Sequence, residues 1–366
     1  SRRKPHFHAA VDALLEGLSH YPKEIEVHVV SCNRRSEECP EKLADNVFFH
    51  QPVIPALGWG KSAFIGCAWK VRGLLKEIQP DLVHAQGTER DCAVSAVGSG
   101  YPNVVTIHGN MQQIFRLRLL GATSYYRMAS FLETQALKRT QGVLCNSNHT
   151  RSLVEGRTGR TWLVPNPVRP AFLMPADEPR IRNRIPVLLV VGVVTRLKRS
   201  LEILETMRAL YRAGRRFKLT FIGGHSANHE YGARFQEALN LGESEGWVEY
   251  AGVLNEAELI HAMDRADALV HFPHEEAFGL VVAEALARNL RVFVSNVGGI
   301  PDVVMQMKGA AQFDSLLDLR KGVDTWLSAG APESSGDVLR VRDRYAPDVI
   351  AKAHLRIYRE VLESEC

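Results

Sequence analysis

The run Ala268-Leu269-Val270-His271-Phe272, then Pro273-His274-Glu275, then Glu276-Ala277-Phe278-Gly279-Leu280-Val281-Val282-Ala283-Glu284-Ala285, decides how the rest of the chain reads. A short apolar run ended by a polar turn predicts a buried strand, and the helix formers of 280–288 predict a helix. Strand, turn and helix in that order put Gly279 at the helix mouth. A glycine there lets a ligand approach the backbone, and the free N–H groups of a first helical turn favour an anion. Glu276 precedes the helix, and Glu284 lies about two turns along it. Carboxylates repel a phosphate, so they make chemical sense only opposite hydrogen-bond donors, because an ionised carboxylate only accepts. Ribose and hexose hydroxyls are such donors. A phosphate at a helix end with sugar hydroxyls on either side describes a nucleotide sugar. The competing reading is an ordinary amphipathic helix with two solvated glutamates.

Outward from this unit, predicted strands at 187–194, 218–222, 248–250, 268–272, 291–295 and 310–313 alternate with helices. The first half repeats the pattern. Helices are expected at 9–18, 62–78 and 93–98, and strands at 25–30, 46–50, 82–84, 104–107, 143–145 and 161–164. Such alternation indicates α/β architecture with parallel, doubly wound sheets. The stretch 112–140 reads as mostly helical, with Arg116, Arg118, Arg127, Lys138 and Arg139 beside apolar residues. It is either a helix pair with a solvated basic face or a surface that rests on anionic lipid. The Pro- and charge-rich stretch 169–186 has no period and reads as a linker. The expected domains are 1–170 and 187–345, with the linker at 171–186 and a C-terminal helix within 346–366.

At 366 residues the chain exceeds one ordinary core. Hydrophobic content of 45% and charged content of 23% are those of a soluble globular protein. A net charge of +4 suits a protein that handles diphosphates but does not argue for nucleic acid. Six cysteines are scattered; Cys32 and Cys39 could close a loop disulfide, while reduced thiols fit a cytosolic protein. No apolar run approaches the roughly 18 residues of a spanning helix, and the start does not read as a signal peptide. The expected location is cytoplasmic, with peripheral membrane contact through 112–140 as a further reading. No Asp-x-Asp stands at a strand end and no His/Cys group has ligand spacing, so no metal and no cofactor are expected. The absence of Gly-x-Gly-x-x-Gly and Walker patterns argues against dinucleotide oxidoreductases and NTPases.

Two further places carry chemistry. In Gly192-Val193-Val194-Thr195-Arg196-Leu197-Lys198 a strand ends in glycine and a basic loop leads to a helix. Arg196 and Lys198 there could clamp a diphosphate and stabilise charge on a leaving phosphate oxygen; the alternative is solvated helix-start cations. His108, in Thr106-Ile107-His108-Gly109-Asn110, stands at the carboxyl end of a strand, where open α/β sheets bind ligands. A histidine that merely satisfies a strand end is the alternative. His84, Thr88, Glu89 and Arg90 follow or end the neighbouring strand, where binding and scaffolding cannot be separated.

Glu276 and Glu284, with Phe278, Gly279 and Leu280 between them, resemble the donor-site motif of retaining glycosyltransferases of family 4. Pro165-Asn166-Pro167 resembles the turn that closes the family's first domain, and Gly298-Gly299-Ile300-Pro301-Asp302 resembles its GGIPE segment, with Asp302 where glutamate is usual. The resemblance implies the GT-B fold, two facing Rossmann-like domains with parallel sheets and an interdomain cleft, and a C-terminal helix that crosses back to the first domain. It implies transfer of a hexosyl group, with retention, from a nucleoside-diphosphate sugar to an acceptor hydroxyl. UDP sugars are favoured; the acceptor is an unknown sugar, lipid or polysaccharide, and bacterial glycan or glycolipid synthesis is the expected setting. Glu276 would hold sugar hydroxyls, Glu284 the ribose, and Lys198 with Arg196 the diphosphate. Gly223 would lie near the phosphates, backbone groups of Val253 and Leu254 would hold the base, and His108 would touch the transferred sugar or the acceptor. Gly298 and its neighbours would support the donor helix. The chain departs from the pattern at Val193, where the family carries arginine, and in lacking an opening strand and glycine-rich turn. Two rivals therefore stand beside the transferase: an epimerase or sugar phosphorylase of the same architecture, and a non-catalytic nucleotide-sugar-binding protein.

Overall fold

A computed structural model describes residues 5, 7–120, 123–176, 183–334 and 336–364. The basic start at Arg2, Arg3 and Lys4, positions 177–182 of the expected linker, and Cys366 lie outside the described residues. The chain forms two compact units, Ser1–Arg169 with Tyr345–Cys366, and Pro170–Arg344.

The first unit carries two sheets. One contains β1 (Val27–Val30), β2 (Lys42–Ala44) and β3 (Val47–His50), in the order β1-β3-β2. The other contains β4 (Val83–Gln86), β5 (Asn103–Ile107), β6 (Gly142–Cys145) and β7 (Thr161–Leu163), in that order and all parallel. Val104, Val105, Val143 and Leu144 are fully buried, as continuous apolar runs covered on both faces should be. β2 was not expected; it is a three-residue strand with an exposed lysine, and it pairs antiparallel with β3. The helix Ala9–Ser19 buries Ala10, Ala13, Leu14, Gly17 and Leu18, a stripe at helical spacing. Leu14 and Leu18 share a core cluster with Ile350 and Ala351 of the C-terminal helix Pro347–Glu363. The stretch 112–140 is not one helix. Met111–Leu117 ends at Arg118, whose φ of 53° is left-handed, and a second helix spans Thr123–Leu137. Arg116, Arg118 and Arg127 are exposed. Among the described residues no helix is long and apolar enough to cross a membrane.

The second unit is one parallel sheet of β8 (Val187–Val191), β9 (Lys218–Ile222), β10 (Val248–Gly252), β11 (Ala268–His271), β12 (Arg291–Ser295) and β13 (Ala310–Phe313). Its order is β10-β9-β8-β11-β12-β13. The sheet grows one way from β8 to β10, then returns to lay β11 on the other side of β8. Crevices outside the carboxyl ends of strands at such a reversal are where open α/β sheets bind ligands. Phe217, Phe221, Phe235 and Trp247 fill the core behind β8 and β9, which fixes the position of both strand ends.

Candidate functional site

The loops after β8 and β11 meet at this reversal. His274 N–H donates to the Leu197 carbonyl at 2.8 Å, joining the two loops. Lys198 Nζ then donates to Glu276 Oε2 at 2.6 Å, and His271 Nε2 donates to the same oxygen at 2.9 Å. His271 closes β11 and is 4% exposed. Burial, the largest single effect, pushes the Glu276 carboxyl up, but Lys198 and His271 together overcome it and hold the pKa well below the usual carboxylate range. The histidine goes the other way: burial lowers it in spite of Glu276, so it stays neutral near pH 7. Its Nε2 must carry the proton to donate to a carboxylate. The result is an ionised, acceptor-only group beside a cation.

Backbone contacts hold this carboxylate in place. Gly299 N–H donates to the Glu276 carbonyl at 2.8 Å. Gly298 sits at φ 59°, and a Cβ there would collide with that same carbonyl oxygen, so only glycine fits without displacing the loop. The helix Leu280–Ala287 begins at Gly279, whose φ is 92°, and no side chain caps it. Val282 N–H bonds the Gly279 carbonyl at 2.9 Å, which leaves the amides of Leu280 and Val281 to a ligand or water. Phe278 is buried at the helix mouth, Leu280 is half-buried, and Glu284 is 2% exposed among Val282, Ala283 and Ala285. Arg288 at the helix end grips Asp264 through Nε at 2.6 Å and an Nη at 2.5 Å, which anchors the helix to the preceding one.

The neighbouring strand ends carry the other expected residues. Tyr250 OH donates to the Gly223 carbonyl at 2.6 Å, while Val253 is 77% exposed and Leu254 half-buried just past β10. The two expected cations separate. Lys198 meets Glu276, whereas the Arg196 guanidinium lies 5.8 Å over the Tyr231 ring and 3.9 Å from Glu230. Two residues here escaped sequence reasoning. His271 sits inside an apolar run and reads as core. Arg199 lies 5.4 Å over the Phe272 ring with its Nε buried and unpartnered, and its only signal is adjacency to Lys198. A cavity of about 560 Å³ lined by Arg184, Arg215 and Asp267 opens at the amino ends of β8 and β11, away from these loops.

In the first unit, His108 Nε2 donates to Gln86 Oε1 at 2.9 Å, and its Nδ1 is buried without a partner. Burial, with His8 and His354 nearby, takes its pKa down to about 3. His84 lies inside β4, bonded to Tyr358 OH and Thr106 Oγ1 at 2.7 Å each, and Thr88 Oγ1 donates to the buried Glu133 at 2.9 Å. Those two residues knit the unit together; His108 keeps an open acceptor nitrogen.

The family model described as Glycosyltransferase Family 4 matches residues 10–172, and that described as Glycosyl transferases group 1 matches residues 176–330. Among solved structures, the sucrose-phosphate synthase of Thermosynechococcus elongatus superposes with a TM-score of 0.79 at 15% identity, covering 99% of this chain and 96% of that one. Anabaena HepE, solved with UDP and glucose, gives 0.71 at 14% identity, covering 98% of each chain. A glycosyltransferase from Rickettsia africae gives 0.71 at 16% identity, covering 99% of this chain and 97% of that one. No curated protein matches the chain. At these identities the structural likenesses speak to the fold, which is GT-B with two Rossmann-like units.

Proposed function

Since the chain belongs to the glycosyltransferases of family 4 and group 1, we propose that it moves a hexosyl group from a nucleoside-diphosphate sugar to an acceptor hydroxyl, with retention of configuration. The observation that carries this reading is the meeting of Lys198, Glu276 and His271 at the sheet reversal beside the uncapped Gly279 helix. Glu276, kept ionised, accepts from sugar hydroxyls. Lys198 sits where it can take charge from the leaving phosphate, and the first-turn amides add donors for the same diphosphate. Arg196 and Arg199, from the same loop, are the further cations available to it. Glu284 accepts from the ribose, Gly223 lies near the phosphates, and backbone groups of Val253 and Leu254 hold the base. In the first unit His108 faces the transferred sugar or the acceptor. UDP is the favoured nucleotide, a preference supported by the UDP complex of HepE, and bacterial glycan or glycolipid synthesis the favoured setting.

The test is calorimetric binding of UDP, GDP and ADP, then of their common sugars, in buffer without divalent cations. Saturable binding of one nucleotide, lost in Glu284→Ala, is expected. A folded protein that binds none of them would overturn the donor-site reading.

A further inference from the structure

Cys32, Cys67 and Asp91 are buried in the first unit, and one ligand atom from each lies within 4.8 Å of the other two. They come from three separate elements. Cys32 follows β1, Cys67 lies in the first turn of the helix Ile65–Ile78, and Asp91 precedes the helix Cys92–Val97. Asp91 is the telling member. It stands at an N-cap, where aspartate ordinarily accepts from first-turn N–H groups, yet its side chain makes no such bond. It is 9% exposed, and among the described residues it makes no ion pair. A buried carboxylate is ordinarily paired or bound to a metal; this one is turned toward two thiols.

We propose that Cys32, Cys67 and Asp91 bind a zinc ion that ties the two sheets of the first unit together. Two sulfurs and one oxygen form a donor set that suits zinc and disfavours magnesium or calcium, which take oxygen ligands. Cys67 Sγ lies 3.5 Å from the Gly58 carbonyl oxygen, so an oxygen stands beside the set for a fourth position. Two thiolates and a carboxylate around a divalent ion leave one excess negative charge. The guanidinium groups of Arg34 and Arg90, 5.7 and 5.0 Å over the ring of Trp59, lie beside the same cluster to offset it. The ion has a mechanical role. β1 and β4 are terminal strands of sheets that share no pairing, and Cys32 and Asp91 follow those two strands. Bound zinc holds the loop 88–91, which carries Glu89 and Arg90, against β1. The spacing along the chain hides the site, because no two of its ligands fall within one short motif.

The 366-residue chain is expressed in zinc-supplemented medium, dialysed against a weak chelator, and its metal measured by plasma mass spectrometry. About one zinc per chain is expected, with a thiolate-to-cobalt charge-transfer band after cobalt exchange. Cys67→Ser and Asp91→Asn should each weaken zinc retention by more than the roughly 10–100-fold typical of losing a supporting contact, while Cys39→Ser retains it. Should a variant misfold, strong chelation of the unmodified chain gives an independent reading: its melting temperature should fall and recover on adding zinc. Substoichiometric metal with an unchanged melt would overturn the proposal and leave two ordinary buried thiols. A mass lower by two hydrogens, reversed by reductant, would overturn it in favour of a Cys32–Cys67 disulfide. None of these readouts involves nucleotide, so the outcome is independent of glycosyl transfer.

Discussion

Glu276 carries its charge where burial alone would remove it, and it does so because a lysine and a histidine share one of its oxygens. Changing the acceptor and removing one donor affect this contact in different ways. Glu276→Gln abolishes the charge and should cut turnover by roughly 10²–10³, the scale of losing a preorganised transition-state contact. His271→Leu leaves Lys198 in place but loses one hydrogen bond to a charged group, about 1.5–3 kcal/mol. Turnover should fall by roughly tenfold to a hundredfold, and the acid limb of the pH profile should move upward as the carboxylate is less well held. In His271→Gln an amide N–H can stand where Nε2–H stands, so it should recover much of the loss. Equal activity in the Leu and Gln variants would mean that His271 only fills space. Lys198 and Glu276 could be found in the sequence because each lies in a short local pattern. His271 could not: its meeting with a residue five positions on depends on the loop turning back, which no periodicity records. Cys32, Cys67 and Asp91 were hidden more deeply, since three elements must fold before they meet.

The sheet of the second unit was readable strand by strand, because its strands are apolar runs bounded by glycine or polar turns; Lys218–Ile222, Arg291–Ser295 and Ala310–Phe313 appear with the expected limits. Backbone conformation without a compositional mark was not readable. The helix expected from residue 62 starts at Ile65, since Gly60–Ser62 is a 3₁₀ turn and Ala63 and Phe64 have φ of 51° and 64°. β2, with three residues, is too short to show any alternation. The Gly298-Gly299 turn lies between these extremes, visible as a motif but with a role that only contacts reveal. Gly298→Ala must place a side chain at φ 59° and push against the Glu276 carbonyl. It should destabilise the second unit by about 1–3 kcal/mol and weaken nucleotide binding, because the displaced loop carries Glu276. Urea midpoint and calorimetric affinity check both effects; a variant unchanged in both would show that the loop yields without consequence.

Two compact units in one chain need not lose stability together when the solution is acidified. Buried histidines set the difference. In the first unit burial lowers His108 to about 3 and His354 to about 4, and it holds His84 well below its ordinary value. His50 is also lowered. In the second unit His271 and His274 are lowered, the first against an opposing pull from Glu276. A histidine whose folded pKa is depressed refuses the proton that the unfolded chain accepts. Its contribution is therefore complete above about 6.5 and is lost as pH falls toward the folded pKa. Each deeply buried one, His84, His108 and His354 in the first unit and His271 in the second, adds a slope of up to about 1.4 kcal/mol per pH unit across that window. The half-buried His50 and the exposed His274 add less because solvent screens them. Between about pH 6.5 and 5, before carboxylates of ordinary pKa take up protons, the first unit should lose stability faster than the second. Calorimetric unfolding should then separate into two transitions, the lower one moving with pH. His354→Leu identifies the cause: its Nδ1 donates only within its own helix, to the Ile350 carbonyl, so the substitution leaves the other histidines' bonds intact. The lower transition should flatten against pH by about one histidine's share of the slope. An unaltered pH dependence in that variant, or a second-unit transition that falls first, would remove the buried histidines as the source of acid sensitivity.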